Sequence, residues 1–542
     1  MLGGATSTYL DSLALQCMEE LGLPGMALGV TDRANLLKAS AYGVADIATQ
    51  APVTVSTRFE IGSLGKPFTV IPLMQLFEAG VVDLHAPVSR YLSWFKVNSD
   101  FPEITVHHLL NHTSGLQRGT DVGPHGLYES WALRDFRPVS GPADYFCYSN
   151  IGYKTLGFLL ERIIGQSLSD IIRQRVLEPL GMAETSPAVT TQARYNIATG
   201  YASIYDDRPE HSSHPLASVP WALYATGDGA QVSTVGDMAA YLRLMLNKGQ
   251  APAGRLLAEK SLNIMIYDGV WTGGDFYGHG LATYPVDGRV YIGHGGGNTG
   301  FRSAMVIDEE YGLGVILLTN RMGETDPLAE VAQLALTAAC ADAGGHPMPP
   351  LPVRTDPTAI DNAPDYAGAY RSGHGVIELL ARDGRLLLKR GNVEVLLEKR
   401  SQDVFYVLHA DFDLALLEFR REEGQVTELF HGPDWYVREG YGADDTGEPA
   451  AFPYPGEWEA YTGDYRARNP ELSNFRVAIR KGALTLLHPW GNTSPLVPLD
   501  DGRFRIGPDL LNPETLTFSA IADCRTLRVD YTGCPYYRTF EP

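Results

Sequence analysis

Residues 59–70 read FEIGSLGKPFTV and contain a serine and a lysine three positions apart, Ser63 and Lys66. A serine hydroxyl is a weak nucleophile and needs a base within hydrogen-bonding reach. Residues at i and i+3 on one helical turn point the same way, so Lys66 is a candidate acceptor for the proton of Ser63. The backbone N–H of Ser63, at a helix start, could stabilise an oxyanion. Taken alone the S-x-x-K pattern is weak, because an N-cap followed by a surface lysine gives the same residues.

Pro67 indicates where this helix begins. Proline has no N–H to donate to the Ser63 carbonyl four residues earlier, and it is tolerated only in the first turn of a helix. The helix must therefore start very near Ser63. The segment 67–79 is largely apolar and Gly80 follows it as a stop signal, which predicts a mostly buried helix.

A second candidate motif is Tyr148-Ser149-Asn150, just before a predicted helix over 152–164. A phenol can relay protons when cations lie nearby, and an asparagine amide can hold a substrate carbonyl. An ordinary Asn N-cap beside a core tyrosine is the common alternative for Y-x-N alone.

The third motif is His294-Gly295-Gly296-Gly297, after a predicted strand. Glycines let a substrate backbone approach closely and leave N–H groups available. Residues 295–300 also match the G-x-G-x-x-G dinucleotide fingerprint, which requires a helix after the glycines. Because residues 301–307 read as a strand, we reject a nucleotide site and expect no cofactor.

Three histidines, His107, His108 and His112, form a rival cluster. His108 and His112 have the i, i+4 spacing of a zinc helix, but the glutamate of H-E-x-x-H and a third ligand are lacking, so we expect structural histidines and no metal. The five cysteines are scattered and odd in number, which argues against a disulfide framework or a zinc site. Cys147 is expected to be a small buried side chain.

The order of elements predicts an α+β catalytic segment. Strand-like runs at 25–31, 289–294, 301–307 and 313–319 enclose a helical middle, which suggests an antiparallel sheet completed by both ends of the segment. Thr234 and Asp237 form a capping pattern that opens a further helix.

Two Pro- and Gly-rich stretches, 341–364 and 440–457, are predicted linkers. They divide the 542 residues into segments 1–345, 361–440 and 456–542. Short strands about 8–12 residues apart predict a small antiparallel barrel in each C-terminal segment. The third segment resembles a divergent repeat of the second, since residues 366–371, YAGAYR, match residues 461–466, YTGDYR.

Charge and hydropathy exclude several classes of partner. The net charge is −21, from 43 Lys and Arg against 64 Asp and Glu, which argues against nucleic acid and against anionic membranes. The N-terminal residues show no signal-peptide pattern and no apolar run reaches about 18 residues, so a cytoplasmic location is expected. The oligomeric state stays open.

In their order and spacing, the S-x-x-K, Y-x-N and H-x-G motifs resemble those of penicillin-recognising serine hydrolases of the class C β-lactamase type. This family includes β-lactamases, DD-peptidases, D-aminopeptidases and family VIII esterases. The resemblance covers residues 10–325 and extends to further matching stretches: LLNHTSGL at 109–116, DLHAPVSRYL at 83–92, LEPLGMAETS at 177–186 and QVSTVGDMAAYL at 231–242.

The resemblance implies a β-lactamase/transpeptidase-like domain in 1–345 and a role for each motif residue. It implies acylation of Ser63, with Lys66 and Tyr148 shuttling the proton. Asn150 would orient the substrate amide, and the N–H groups of Ser63 and Gly297, next to Gly296, would form an oxyanion hole. His294 stands where β-lactamases have the lysine of K-T-G, which favours peptidase or esterase relatives.

The barrels at 361–440 (lipocalin-like) and 456–542 resemble in architecture those of three-domain D-aminopeptidases. We therefore expect a serine hydrolase or acyltransferase acting on a small-molecule or peptide substrate, D-aminopeptidase-like. An esterase or a β-lactamase of the same fold is the alternative within this family. A non-catalytic binding protein is the alternative of another class.

The barrels are expected to shape access to the site, with residues 487–495 around Trp490 as one candidate loop. A surface loop whose tryptophan packs on its own barrel is the simpler interpretation.

Overall fold

The computed structural model describes residues 2–120, 126–323, 326–441, 452–469 and 472–539. Most of the predicted linker at 440–457 lies outside these ranges. Within them, no helix combines the length and the apolar character needed to cross a bilayer. All five cysteines are free thiols.

The N-terminal part of the chain builds a nine-stranded antiparallel sheet in the order β10-β11-β12-β13-β14-β15-β1-β2-β3. Its strands and those of three small two-stranded sheets are β1 Gly25–Thr31, β2 Leu36–Asp46, β3 Ala51–Pro52, β4 Phe59–Glu60, β5 Tyr201–Ser203, β6 Leu216–Ser218, β7 Val232–Ser233, β8 Gln250–Ala251, β9 Gly254–Arg255, β10 Val270–Trp271, β11 Phe276–Tyr277, β12 Ala282–Val286, β13 Arg289–Asn298, β14 Phe301–Asp308 and β15 Leu313–Thr319. The N-terminal β1 pairs with β15, with Leu28 opposite Leu317, so both ends of the segment complete the sheet as predicted.

Helices cover both faces of this sheet. They are α1 Gly4–Leu21, α2 Lys66–Glu78, α3 Val106–Leu110, α4 Gly126–Ala132, α5 Asn150–Ile164, α6 Leu168–Ile172, α7 Glu178–Leu180, α8 Thr191–Arg194, α9 Val235–Leu246, α10 Glu259–Tyr267 and α11 Asp326–Gly344, with 3₁₀ turns at Gly62–Gly65, Val88–Arg90 and Leu133–Asp135 and a π turn at Arg173–Leu177. The capping pattern of α9 is present, since the Thr234 side chain accepts from the Asp237 N–H. Helix α11 continues three residues past the predicted linker start at 341, because Cys340 and its neighbours are buried against the sheet.

Alternate residues of the central strands face two different cores. Leu28 and Leu317 point to one face, where they pack with Leu10 of α1 and Leu336 of α11. On the other face, the core contains residues of α2, α5 and α9 together with Leu318. Strands buried on both faces read as continuous apolar runs, which is why β1 and β15 were visible in the sequence.

The C-terminal part forms two closed eight-stranded antiparallel barrels. The first follows the short helix α12 Ala363–Tyr366 and the second follows a 3₁₀ turn at Gly456–Tyr461. The strands are β16 Gly368–Ser372, β17 Gly375–Arg382, β18 Arg385–Arg390, β19 Val393–Ser401, β20 Val404–Val407, β21 Leu417–Glu422, β22 Gln425–His431, β23 Asp434–Arg438, β24 Gly463–Arg466, β25 Asn474–Arg480, β26 Ala483–Leu487, β27 Thr493–Pro498, β28 Phe504–Ile506, β29 Thr515–Ala522, β30 Arg525–Tyr531 and β31 Cys534–Arg538. The α+β fold with two following barrels is thus confirmed.

The two barrels close in the same way. In the first, Tyr370 of β16 lies opposite Arg438 of β23, and the Tyr370 hydroxyl donates to the backbone carbonyl four residues earlier at 2.8 Å. In the second, Tyr465 lies opposite Arg538 and makes the same local hydrogen bond at 2.7 Å. This shared closure agrees with the sequence repeat between the two segments.

Two compact units make up the chain. One comprises Met1–Ile204, Ser212–Pro352 and Leu510–Pro513 and contains the nine-stranded sheet. The other comprises Tyr205–His211, Val353–Asp509 and Glu514–Pro542 and contains both barrels.

Candidate active site

The backbone around Ser63 is set by two glycines. After β4, Gly62 adopts a positive φ of 53°, and the 3₁₀ turn at Gly62–Gly65 leads directly into α2. A Cβ on Gly62 would lie 2.5 Å from the Gly297 nitrogen, so only glycine fits this close approach between the turn and β13. The result is a half-buried serine at the start of a helix, as Pro67 predicts.

Lys66 is fully buried and its amine lies among three oxygen atoms. Its Nζ is 2.9 Å from Ser63 Oγ, 2.7 Å from Asn150 Oδ1 and 2.9 Å from the Asp228 carbonyl oxygen. A charged amine donates to all three atoms. A neutral amine donates to two of them and accepts the hydroxyl proton of the serine, so this geometry suits proton transfer from Ser63.

Tyr148 lies beside this lysine. The Lys66 amine is 4.6 Å from the centre of the Tyr148 ring, and the Arg118 guanidinium is 5.6 Å from it. The ring packs on His112 at 4.3 Å and lies 6.0 Å from the ring of Tyr277. Two basic side chains and two aromatic neighbours therefore fix the position of this phenol.

Asn150 is the first residue of α5 but not its N-cap. The side chain of Ser149 caps the helix by accepting from the Gly152 N–H, so the N-cap alternative for Asn150 does not apply. The Asn150 side chain is buried and its Oδ1 accepts from Lys66. The Nδ2 atom of the same amide is a hydrogen-bond donor.

His294 lies on β13, and its ring centre is 6.2 Å from that of Tyr148. Its Nδ1 donates to the Gly295 carbonyl oxygen, so its Nε2 accepts from the Tyr277 hydroxyl at 2.9 Å. Burial, helped by the neighbouring Lys66, lowers the pKa of His294 to about 4. His294 is therefore neutral at physiological pH.

Gly296 and Gly297, also on β13, lie against the serine turn. A Cβ on Gly296 would come within 2.1 Å of the Ile61 carbonyl oxygen, and Gly297 faces Gly62. The structure thus brings together Ser63, Lys66, Tyr148, Asn150, His294, Gly296 and Gly297.

Sequence reasoning missed a buried charge network behind the lysine. The Lys154 amine is 2.7 Å from Glu129 Oε2 and 3.9 Å from Asp228 Oδ2, and all three side chains are nearly inaccessible. Burial raises the pKa of Asp228, although Lys154 and Lys66 oppose the shift.

Tyr277 was missed as well, because it lies on a two-residue strand that carries no motif.

The histidines at i, i+4 have separate structural partners. His108 Nδ1 accepts from the Thr105 N–H within a capping box, and His112 Nδ1 accepts from the Ser149 N–H at 2.9 Å. Strand β14 follows the glycines of β13 where a nucleotide site needs a helix.

A nine-stranded antiparallel sheet with helices on both faces, and a serine and a lysine at the start of a central helix, define the class of β-lactamase and penicillin-binding folds. The chain belongs to the beta-lactamase family, a family of serine hydrolases, whose model matches residues 10–339.

Three similar proteins are penicillin-binding proteins or a homologue of one by name. The chain is 26% identical to penicillin-binding protein 4* of Bacillus subtilis (strain 168), over 69% of this chain and 85% of that protein. It is 28% identical to penicillin-binding protein 4 of Amycolatopsis lactamdurans, over 65% of this chain and 94% of that protein. The octameric penicillin-binding protein homologue from Pyrococcus abyssi shares the fold, with a TM-score of 0.56 at 23% identity over 80% of this chain and 100% of that one.

Proposed function

We propose that this chain is a serine hydrolase or acyltransferase that forms an acyl ester on Ser63 and acts on small amides and peptides, with D-aminoacyl substrates favoured. The observation that carries the proposal is the 2.9 Å contact between Ser63 Oγ and the buried amine of Lys66. The preference for a D-residue rests on the architectural resemblance to three-domain D-aminopeptidases.

In the acylation step, Ser63 Oγ attacks the substrate carbonyl carbon while its proton passes to neutral Lys66. The new C–O bond converts the carbonyl into a tetrahedral oxyanion. The N–H groups of Ser63 and Gly297 are the proposed donors to that oxyanion. Gly296 lets β13 lie against the serine turn, next to Gly297. Asn150 Nδ2 would hold the substrate amide.

The leaving amine must receive a proton when the C–N bond breaks. Tyr148, in contact with Lys66, is the proposed carrier of that proton to the amine nitrogen. The acyl group stays on Ser63. Water or a second amine then attacks the ester, and the same groups return the proton to Ser63 Oγ.

An uncharged His294 bears on the choice of substrate. A lysine at this position would offer a fixed positive charge to a substrate carboxylate, as β-lactams carry. A neutral imidazole carries no such charge, which suits amides and esters. This favours an esterase as the second candidate function over a β-lactamase.

A side-by-side panel tests these assignments: D- and L-aminoacyl anilides, short-chain esters and nitrocefin, each with the full-length chain and with Ser63→Ala. We expect turnover of the D-aminoacyl anilides that Ser63→Ala abolishes. If esters are turned over fastest, the chain is an esterase. If nitrocefin is turned over fastest, it is a β-lactamase. Turnover unaffected by Ser63→Ala would contradict the mechanism.

A further inference from the structure

A histidine pair lies apart from Ser63, on segments far from one another in the chain. His107 belongs to α3, His279 follows β11, and Asp268 follows α10. His107 Nδ1 is 3.2 Å from His279 Nε2 and 3.9 Å from Asp268 Oδ2. One ligand atom from each of the three residues lies within 4.8 Å of the other two.

These distances match a metal site. Zinc binds imidazole nitrogen at about 2.0–2.1 Å, so two ligand atoms of a tetrahedral site lie about 3.3–3.4 Å apart. The two imidazole nitrogens, 3.2 Å apart, are close to this separation. Asp268 is exposed, with 53% of its side chain accessible, so its carboxylate can move the remaining distance without disturbing the core.

The buried state of His279 needs an explanation. Its side chain is fully inaccessible, its Nε2 faces only another imidazole, and its Nδ1 has no hydrogen-bond partner among the residues that the structure describes. Burying a polar ring with so little compensation costs free energy. A cation bound at Nε2 would replace the contact between two imidazoles with a metal–ligand bond, while Nδ1 faces away from the ion.

The second nitrogen of His107 also has the partner that a metal ligand needs. Its Nε2 lies 3.0 Å from the Asn111 amide, whose oxygen accepts from Thr113 Oγ1. When Nδ1 binds a metal, Nε2 carries the proton and donates to the amide oxygen of Asn111 in its other orientation. The Thr113 hydroxyl then accepts instead of donating.

The geometry points to a binding site for a divalent transition ion of the zinc class, formed by His107, Asp268 and His279, with water completing the tetrahedron. Two imidazoles and one carboxylate are the donor set that such borderline ions prefer. His85 lies beside this set, with its ring centre 5.0 Å from that of His107. The ion would join the end of α10 and the turn after β11 to α3, and so stabilise the fold rather than supply chemistry.

Metal titration of the full-length chain, stripped with a chelator and desalted, tests this site. We expect about one Zn²⁺ per chain by calorimetry, and a visible Co²⁺ spectrum of the intense tetrahedral type. His279→Leu and His107→Ala should each weaken binding at least about tenfold, since loss of an outer partner alone costs 10–100-fold. Zn²⁺ should raise the Tm of the wild type but not that of His279→Leu.

Two further variants keep the test decisive. Asp268→Asn changes an exposed side chain, so it should fold normally and still bind Zn²⁺ more weakly. His374→Ala removes an exposed histidine of the first barrel and should bind as the wild type does. Equal affinity of wild type and Asp268→Asn, an octahedral Co²⁺ spectrum, or absence of micromolar binding would overturn the proposal and leave a histidine–histidine hydrogen bond.

Discussion

At the scale of single residues, the site depends on how Lys66 is buried. Its amine has oxygen partners from three separate segments: the serine turn, the start of α5 and the loop at Asp228. These contacts hold the amine in place next to Ser63 Oγ. A base held in this way can exchange its proton with Ser63 without moving.

Lys66→Arg tests this role. We expect a loss of turnover of at least about 10³-fold, because arginine keeps the charge but cannot give up its proton. Steady-state hydrolysis of the preferred anilide is the measurement. The control is Lys248→Arg, at an exposed lysine, which should leave turnover unchanged. More than a tenth of wild-type turnover in Lys66→Arg would rule out Lys66 as the base.

Tyr277→Phe tests the hydrogen bond to His294. Phenylalanine keeps the ring packing and removes only the hydroxyl that donates to Nε2. The lost bond should cost about 1 kcal/mol, roughly fivefold in kcat/KM. In a His294→Ala background, Tyr277→Phe should not lower kcat/KM further. The control is Tyr284→Phe, at a tyrosine that donates to Gln333, and it should leave kcat/KM unchanged in the wild type and in His294→Ala. Independent, additive effects would show that Tyr277 does not act through His294.

At the scale of elements, the short strand β4 places a buried acid next to the serine turn. Glu60 accepts hydrogen bonds from the Tyr224 hydroxyl at 2.7 Å and from Asn298 Nδ2 at 3.1 Å. Burial nevertheless raises the pKa of Glu60 to about 7. The folded chain therefore holds a proton on Glu60 that the unfolded chain releases at lower pH.

Glu60→Gln should stabilise the protein in a pH-dependent way. Between about pH 4.5 and 7 the folded state binds more protons at this site than the unfolded state, so the contribution of Glu60 to stability falls as pH rises. Glutamine removes that loss, so the gain in Tm over wild type should be small at pH 5 and largest above pH 7. Thermal melts across this range measure it, with exposed Glu330→Gln as the control. A gain in Tm that shrinks as the pH rises would contradict the predicted direction of the effect.

The sequence predicted those elements whose signals are local. Strands β1 and β15 are apolar throughout, Pro67 marks the start of α2, and Ser63 and Lys66 lie within one turn. Tyr277, Asp228 and His279 could not be predicted as functional. They lie on a two-residue strand or in loops, and their partners are 17 to 172 residues away in the chain.

At the scale of the whole molecule, the barrels add two further cores to a chain whose proposed chemistry lies before residue 300. The predicted role of the loop at 487–495 in access stays a prediction. Within its own barrel, Trp490 stacks on His488 at 4.8 Å, the arrangement expected of a surface loop. The barrels themselves are joined by a buried ion pair, with Arg480 bound to Glu418 at 3.2 Å and to the Gly432 carbonyl oxygen.

Arg480→Ala should destabilise the barrels without affecting Ser63. Removing Arg480 takes away the buried partner of Glu418, which keeps the more exposed Arg420 at 3.4 Å, so the loss should be at most about 3 kcal/mol. The control Arg382→Ala breaks an exposed pair with Glu394 and should cost less than about 1 kcal/mol. Urea unfolding measures both, and acylation of Ser63 should persist in each variant. Equal losses of stability would show that the pair does not hold the barrels together.

Covalent labelling of Ser63 tests the central claim most directly. The full-length chain is treated with a fluorophosphonate and analysed by intact-protein mass spectrometry and peptide mapping. The mechanism predicts one adduct per chain, located on Ser63, absent from Ser63→Ala and retained in Ser56→Ala, a variant of an exposed serine. An adduct at another serine, or no adduct on a folded chain, would contradict the assignment of Ser63 as the nucleophile.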